Sequence, residues 1–458
     1  MAQPSRLGTF GATKNRLRYV VPAATAVPSR LLEGPAFLFG GFMIASAVAQ
    51  LYLMLMSRLL PTTEYGTLVT ITSLSYFLAV LARTIQGWVI KVVAEVKDAG
   101  SGRVYSVFDL VTNVLLPLGG TALAVLWLGR DWLADFLHLG SATPVIVLGL
   151  YAFSALLIPV PVGILLGLGR MRLAGVIIVL EALFRLAIGT ELVSSGLGAD
   201  GALFGYAAGT LLAFAVGLVP LLPVLVGGHR SPAPITDVGR FGSFTLLGLL
   251  INGCLIFNGS IDQVTVKHFF SPEVAGDFSV AFLLGQIIAM VTMSLAWVVF
   301  SKSATMGPDD PGRPGLLIKS LLGVGAFSSA LTIGYLIAPN LAVMIMGGSR
   351  YGAAGAYLGL EGVEMTLFAL SYVQVYYQMS VRRMQSAWLL FAAVVSEVGL
   401  AAYYHQTVQQ YLLTHLFVLA GLLVSVSGLS LWHFRAGVDR SLAQISARPR
   451  YSQYDEVI

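Results

Sequence analysis

From Pro35 to Ser57, Thr67 to Ala82, Val104 to Gly129 and Pro144 to Gly169 the chain runs through long apolar stretches with almost no ionisable side chain, and the pattern continues beyond residue 400. Each approaches or exceeds the roughly 20 residues that a helix needs to cross a bilayer. The stretches do not alternate as the roughly 10-residue strands of a β-barrel would. Lipid cannot satisfy an open backbone edge, so an all-α integral membrane bundle is the fold class that remains. Twelve spans are expected, over 34–56, 66–90, 105–128, 144–168, 173–193, 201–226, 242–266, 275–301, 315–338, 353–379, 386–404 and 409–434. Composition agrees, since 11% of the 458 residues are charged, against about 25% in a soluble domain.

Orientation follows from the 27 Lys and Arg. With both termini inside, 21 fall on the cytoplasmic side, among them Arg6, Lys14, Arg16, Arg18 and Arg30 of the N-terminal tail, and Arg58, Arg130, Lys267 and Arg350 fall outside. The positive-inside rule therefore predicts an even number of spans with both ends cytoplasmic. The net charge of +5 is then a topology signal, and no nucleic-acid partner is expected. The stretch from Met1 to Leu32 lacks an apolar core with a small-residue cleavage site and reads as a retained cytoplasmic tail.

The chain repeats itself. Sliding it along itself until Leu59 meets Phe269 places Leu59, Leu60, Pro61 and Gly66 of "SRLLPTTEYGTL" on Phe269, Phe270, Ser271 and Gly276 of "VKHFFSPEVAGDF". Both segments read as tight outer turns, with Thr or Glu suited to the cap of the next helix. "FLHLGSA" (Phe136 to Ala142) is echoed by "MIMGGSRY" (Met344 to Tyr351), and "GRMRLAG" (Gly169 to Gly175) loosely by "RRMQSAW". Three markers in one order predict two homologous six-helix lobes, a plan common in transporters, with the substrate path between them. The divisions are a tail 1–32, an N-lobe 33–226, a cytoplasmic linker 227–240, a C-lobe 241–434 and a C-terminal tail 435–458.

Ionisable groups within spans cost about 2.5–3.5 kcal/mol each by insertion scales and need a cavity or a partner. Arg83 shares one helical face with Thr72, Ser75, Tyr76 and Gln86. An arginine can hold diphosphate oxygens bidentately, and it can equally snorkel to the headgroups or pair with a neighbouring helix. In the tenth span Glu364, Ser371, Gln374 and Gln378 lie on one arc with Glu361 nearby, suited either to sugar hydroxyls and cation exchange or to interhelical hydrogen bonds. Glu181 and Arg185, four residues apart, read as a self-neutralising pair. Glu397, with no partner nearby in the sequence, is a candidate cation-coupling group that a Ser or Tyr of an adjacent helix could equally hold, and Asp262 is a second candidate with a capping role as the alternative.

Asp262 and "SPEVAGDFSVAFLLGQI", together with "RLLPTTEYG", resemble the polysaccharide-biosynthesis flippases of the MOP exporter superfamily, over about Leu31 to Arg435. The resemblance implies a cell-membrane flippase that moves a polyprenyl-diphosphate-linked oligosaccharide from the cytoplasmic to the outer leaflet by alternating access. It also implies association with membrane lipid, a polysaccharide polymerase and glycosyltransferases. The alternative is a cation-coupled multidrug antiporter of the same superfamily. Arg83, Tyr76, Gln86, Gln374 and Gln378 are the candidate substrate contacts, and Asp262, Glu361, Glu364 and Glu397 the candidates for cation coupling.

No nucleotide-binding loop, catalytic carboxylate cluster or Ser/His/Asp order is present, so no enzyme activity and no cofactor beyond a coupling H+ or Na+ are expected. With one cysteine, Cys254, and with His405 and His415 lacking ligand spacing in the sequence, no metal site is expected either.

Overall fold

The computed structural model describes residues 34–227, 242–306, 312–381 and 385–446. The expected N-terminal tail, nearly all of the linker, Arg382, Arg383 and the last twelve residues lie outside that set. The described residues contain helices and turns and no strand.

The N-lobe comprises α1 (Gly34–Leu59), α2 (Thr62–Val96), α3 (Ser101–Leu128), α4 (Arg130–Phe136), α5 (Thr143–Leu157), α6 (Pro159–Gly167), α7 (Met171–Leu192), α8 (Gly198–Leu218) and α9 (Leu222–Gly227). The C-lobe comprises α10 (Gly242–Asn258), α11 (Ile261–Phe269), α12 (Pro272–Thr305), α13 (Gly312–Ile337), α14 (Pro339–Met346), α15 (Gly355–Ser380), α16 (Ser386–Ala401) and α17 (Val408–Ser446). Eight helical stretches are long and apolar enough to cross a membrane alone, and nine if the bent pair α10–α11 counts as one span. One of the eight, Met171–Val226, folds back where Gly196 and Gly198 take positive φ, so α7 and α8 form two antiparallel spans. The other two are α15, made less apolar by Glu361, Glu364, Gln374 and Gln378, and α16, which is only 16 residues long. Among the described residues twelve spans result, six per lobe.

Two expected spans are not continuous. The fourth is α5 and α6, divided at Ile158 ahead of Pro159 and Pro161, where a proline removes a helical donor. The seventh, expected over 242–266, breaks at Gly259–Ser260 and turns by 49° into α11. That break changes the position of Asp262: it opens a short helix, deep in the protein, instead of sitting one turn from the end of a long one. Gln286 donates to the carbonyl of Gly259 at 2.5 Å, one of the backbone groups at the break.

The repeat seen in the sequence is also a contact. Helices α2 and α12 start at repeat-related positions, one after Pro61 and the other with Pro272 at its first position and Ser271 as cap. They cross at the repeat-related glycines. A Cβ on Gly66 would lie 3.0 Å from Gly276 Cα, and one on Gly276 would lie 2.2 Å from the Thr62 carbonyl oxygen. Only hydrogen side chains permit that approach. The echo "FLHLGSA"/"MIMGGSRY" marks the ends of α4 and α14, short helices at matching places before the fourth and tenth spans.

Further interlobe contacts gather at the same end. Arg350 donates to the carbonyls of Leu60 (3.1 Å) and Arg58 (3.4 Å), Arg58 to that of Ile345 (3.0 Å), and Tyr351 to that of Ser57 (3.0 Å). Burial holds the Tyr351 phenol well above its ordinary pKa, so it stays a neutral donor. Two arginines expected only as loop charges thus tie the lobes together. Glu64, expected to suit the start of its own helix, instead accepts from the backbone N–H of Ala199 at 2.8 Å and caps α8.

Candidate functional site

Helices α11, α15, α16 and α17 meet inside the C-lobe and bring four carboxylates and a histidine together. His415 Nδ1 lies 2.7 Å from Asp262 Oδ1 and also contacts Glu364 Oε1, while its Nε2 lies 3.2 Å from Glu397 Oε1. The Tyr411 hydroxyl, one turn before His415, donates to Asp262 Oδ1 at 2.7 Å. Asp262, Glu364 and His415 could together hold a metal ion, with one ligand atom from each lying within 4.8 Å of the others. Glu361 is fully buried, near enough to Asp262 to interact electrostatically, and neither of its oxygens has a hydrogen-bond partner among the described residues.

Local sequence explains the presentation. Tyr411 and His415 are one turn apart on α17, Glu361 and Glu364 are three positions apart on α15, and the Gly259 break turns Asp262 toward both. Such a set of acids, out of water, must share protons or take up a cation, because an uncompensated buried charge is too costly. His415 was the residue that spacing could not find. Its three carboxylate neighbours come from three other helices, the nearest in sequence on α16 and the farthest on α11. The sequence-based expectation that it lacks ligand partners is corrected by the fold.

The segment that carries Asp262 also touches the other lobe. Gln263 Nε2 donates to Thr70 Oγ1 of α2 at 3.0 Å. A shift of α11 at the acid cluster therefore acts directly on the interlobe contact.

Arg83 is exposed on α2 and makes no hydrogen bond or ion pair among the described residues. Its charge acts on Tyr76 and Tyr151 of its own lobe and on Tyr372 and Tyr376 of the other. It therefore faces the space between the lobes. Tyr372 and Tyr376 stack with centroids 4.6 Å apart, and Tyr376 donates to Asn252 Oδ1 at 2.7 Å. Gln86 lies half-buried on the same helix as Arg83. Gln374 and Gln378 point elsewhere: Gln374 donates to Ser427 Oγ (3.0 Å) and Gln378 to Ser430 Oγ (3.1 Å), inside the C-lobe against α17.

The N-lobe has a polar cluster in the corresponding spans. Tyr52 on α1, at the repeat position of Asp262, donates to the Ala202 carbonyl at 2.7 Å and meets the Tyr206 ring edge-on. Arg185 Nη2 lies 3.3 Å from Glu181 Oε1, which also accepts from Thr210 at 2.9 Å.

Neither a protein-family model nor a curated protein sequence matches the chain. Solved structures do. An inward-facing multidrug resistance MATE family transporter of the MOP superfamily superposes with a TM-score of 0.70 at 14% identity, over 88% of this chain and 96% of that one. The lipid II flippase MurJ in an inward closed conformation gives 0.62 at 12%, over 84% and 86%. An outward-facing MATE transporter gives 0.61 at 15%, over 91% and 100%. The chain has the MATE and MurJ fold. It is thus a multi-pass, all-helical membrane protein of two six-helix lobes, similar to proteins described as transporters and a flippase.

Proposed function

We propose that the protein is a non-enzymatic secondary transporter that flips a polyprenyl-diphosphate-linked oligosaccharide across the cell membrane, with both termini cytoplasmic. Arg83 carries this reading. An arginine without an acid partner among the described residues, set among tyrosines between two lobes, attracts a diphosphate and repels the cationic compounds that a drug antiporter would carry. Tyr76 and Gln86 flank the same path, and their hydroxyl and amide groups suit sugar. Gln374 and Gln378 hold α15 to α17 and are left out of the contact set.

The driving force is assigned to the C-lobe. A proton or a cation such as Na+ enters the Asp262–Glu364–Glu397–His415 cluster, relieves repulsion among the acids and moves α11 at the Gly259 break. Gln263 passes the shift to Thr70 on α2, and the lobes rock. Arg58, Arg350 and Tyr351 join the lobes at the α1–α2 end, which this reading places on the outer side of an inward-facing conformation. The higher TM-score with the inward-facing MATE than with the outward-facing one supports that orientation.

Proteoliposomes holding the purified protein, offered a lipid-diphosphate oligosaccharide and separately a cationic dye, distinguish the readings. Glycolipid translocation that falls at least about tenfold in Arg83→Gln is expected, one charge-assisted contact being enough for that factor. Dye efflux without glycolipid movement would replace this function with drug antiport.

A further inference from the structure

The cluster around His415 holds more unmet polar atoms than a single proton can satisfy. Its five ionisable side chains, Asp262, Glu361, Glu364, Glu397 and His415, are each at most 2% exposed. Asp262 Oδ2, both oxygens of Glu361, Glu364 and Glu397, and both ring nitrogens of His415 make no hydrogen bond among the described residues. Buried polar atoms nearly always find a partner, so this many orphans in one place point to a ligand. His415 Nδ1 faces oxygens of two carboxylates, Asp262 and Glu364, and could give a proton to only one of them.

The donor set says which ligand. One ligand atom each from Asp262, Glu364 and His415 lies within 4.8 Å of the others, on α11, α15 and α17. When Nδ1 turns its lone pair to a metal, the ring proton sits on Nε2, and Glu397 Oε1 lies 3.2 Å from that atom. A carboxylate behind a ligating histidine fixes its tautomer and raises its basicity. Tyr411 donates to Asp262 Oδ1 and leaves Oδ2 free. Three protein ligands with a fourth position open is the form of an exchangeable zinc site. An imidazole nitrogen favours zinc-class ions, whereas hard ions such as Na+ and Mg2+ favour oxygen. A divalent ion also offsets two of the buried acids where Na+ offsets one. His268 and His405 offer no such set, since the Nδ1 of each lies at a backbone carbonyl, of Phe136 (2.6 Å) and Ala401 (2.8 Å).

We propose that Asp262, Glu364 and His415 Nδ1 bind one divalent transition-metal ion of the zinc class, with Glu397 positioning the imidazole, and that the bound ion locks α11 and arrests transport. The site stands on its own geometry. The lock rests on the reading of this cluster as the place where a driving ion enters.

The test of the site is equilibrium dialysis of the purified, chelator-stripped protein in detergent against Zn2+, with Na+ and Mg2+ in large excess. One Zn2+ per chain is expected. Glu397→Gln should weaken binding about 10–100-fold, and His415→Gln, which removes a ligand atom, by more. Co2+ in place of Zn2+ should give visible absorption bands that His415→Gln abolishes. Asp262→Asn, nearly isosteric, should lose the ion too and serves if His415→Gln does not fold. His268→Ala and His405→Ala should keep it. No Zn2+ on the wild type, or equal binding in His415→Gln and Asp262→Asn, would overturn the site. In proteoliposomes saturating Zn2+ should slow gradient-driven translocation by the wild type about tenfold, and a chelator should reverse it. Unchanged translocation with Zn2+ bound would overturn the lock. A metal-free wild type that responds to no ion gradient would remove the coupling reading and the lock with it, while the dialysis decides the site by itself.

Discussion

The two lobes place polar clusters in corresponding spans and give them opposite chemistry. In the N-lobe α1, α7 and α8 supply Tyr52, Arg185 with Glu181, and Tyr206 with Thr210. In the C-lobe α11, α16 and α17 supply Asp262, Glu397, and His415 with Tyr411, joined by Glu364 from α15. One scaffold therefore carries an arginine–glutamate pair among tyrosines on one side and four buried carboxylates around a histidine on the other. The backbone differs with the chemistry. The first span runs unbroken through Tyr52, whereas the seventh breaks at Gly259–Ser260 just before Asp262. An unbroken helix resists bending, and a broken one can move when its charge changes.

The largest effect expected from breaking this contrast is on transport. Asp262→Asn, which keeps the shape and removes the charge, should lower gradient-driven translocation about tenfold or more, with expression and monodispersity kept. Tyr52→Phe at the matching N-lobe position should change it by less than about threefold, since only the hydroxyl donation to Ala202 is lost. Equal losses in the two variants would end the assignment of coupling to one lobe. Translocation measured with an imposed proton gradient and with an imposed Na+ gradient names the ion.

Next in size is the glycine crossing that joins the lobes. Gly276→Val should destabilise the protein by about 1–3 kcal/mol through overpacking against Thr62. Gly120→Ala, with open space around it, should be neutral or stabilising by up to about 1 kcal/mol, because alanine favours the helix. Thermal unfolding in detergent compares the two, and similar melting temperatures would show that the lobes do not need the close approach.

The C-lobe glutamines sharpen the division between holding and transporting. Gln378→Leu should cost about 1–2 kcal/mol of stability by removing the hydrogen bond that Gln378 donates to Ser430. Translocation per folded molecule should be unchanged, and a selective transport loss would return Gln378 to the substrate path. The smallest effect belongs to Tyr351→Phe, which removes one hydrogen bond to Ser57 worth about 1 kcal/mol. In a Cys254→Ala background, a cysteine at Leu60 should then label faster from the α1–α2 side. An unchanged rate would exclude that bond from the seal.

Much of the arrangement was legible before folding, and for local reasons. Arg83, Tyr76 and Gln86 share a face because helical spacing alone sets it, and the turn at Phe270–Ser271 is written in its Ser-Pro pair. The break in the seventh span was not legible, since Asn258–Gly259–Ser260 sits inside an apolar run where glycine is often tolerated. Gln374 and Gln378 show the opposite limit. Their arc was visible, but whether it faced sugar or protein depended on α17, two helices further along the chain.

The sequence by itself determined a membrane-spanning, all-helical chain of twelve spans in two repeated halves, because hydropathy and repetition are one-dimensional properties. Only the tertiary structure decided that Gly66 meets Gly276, that His415 joins acids from three other helices, and that Arg185 lies over the Tyr206 ring. Those are meetings between residues far apart in the chain. They depend on how bent and crossed helices pack, which no periodicity along the chain records.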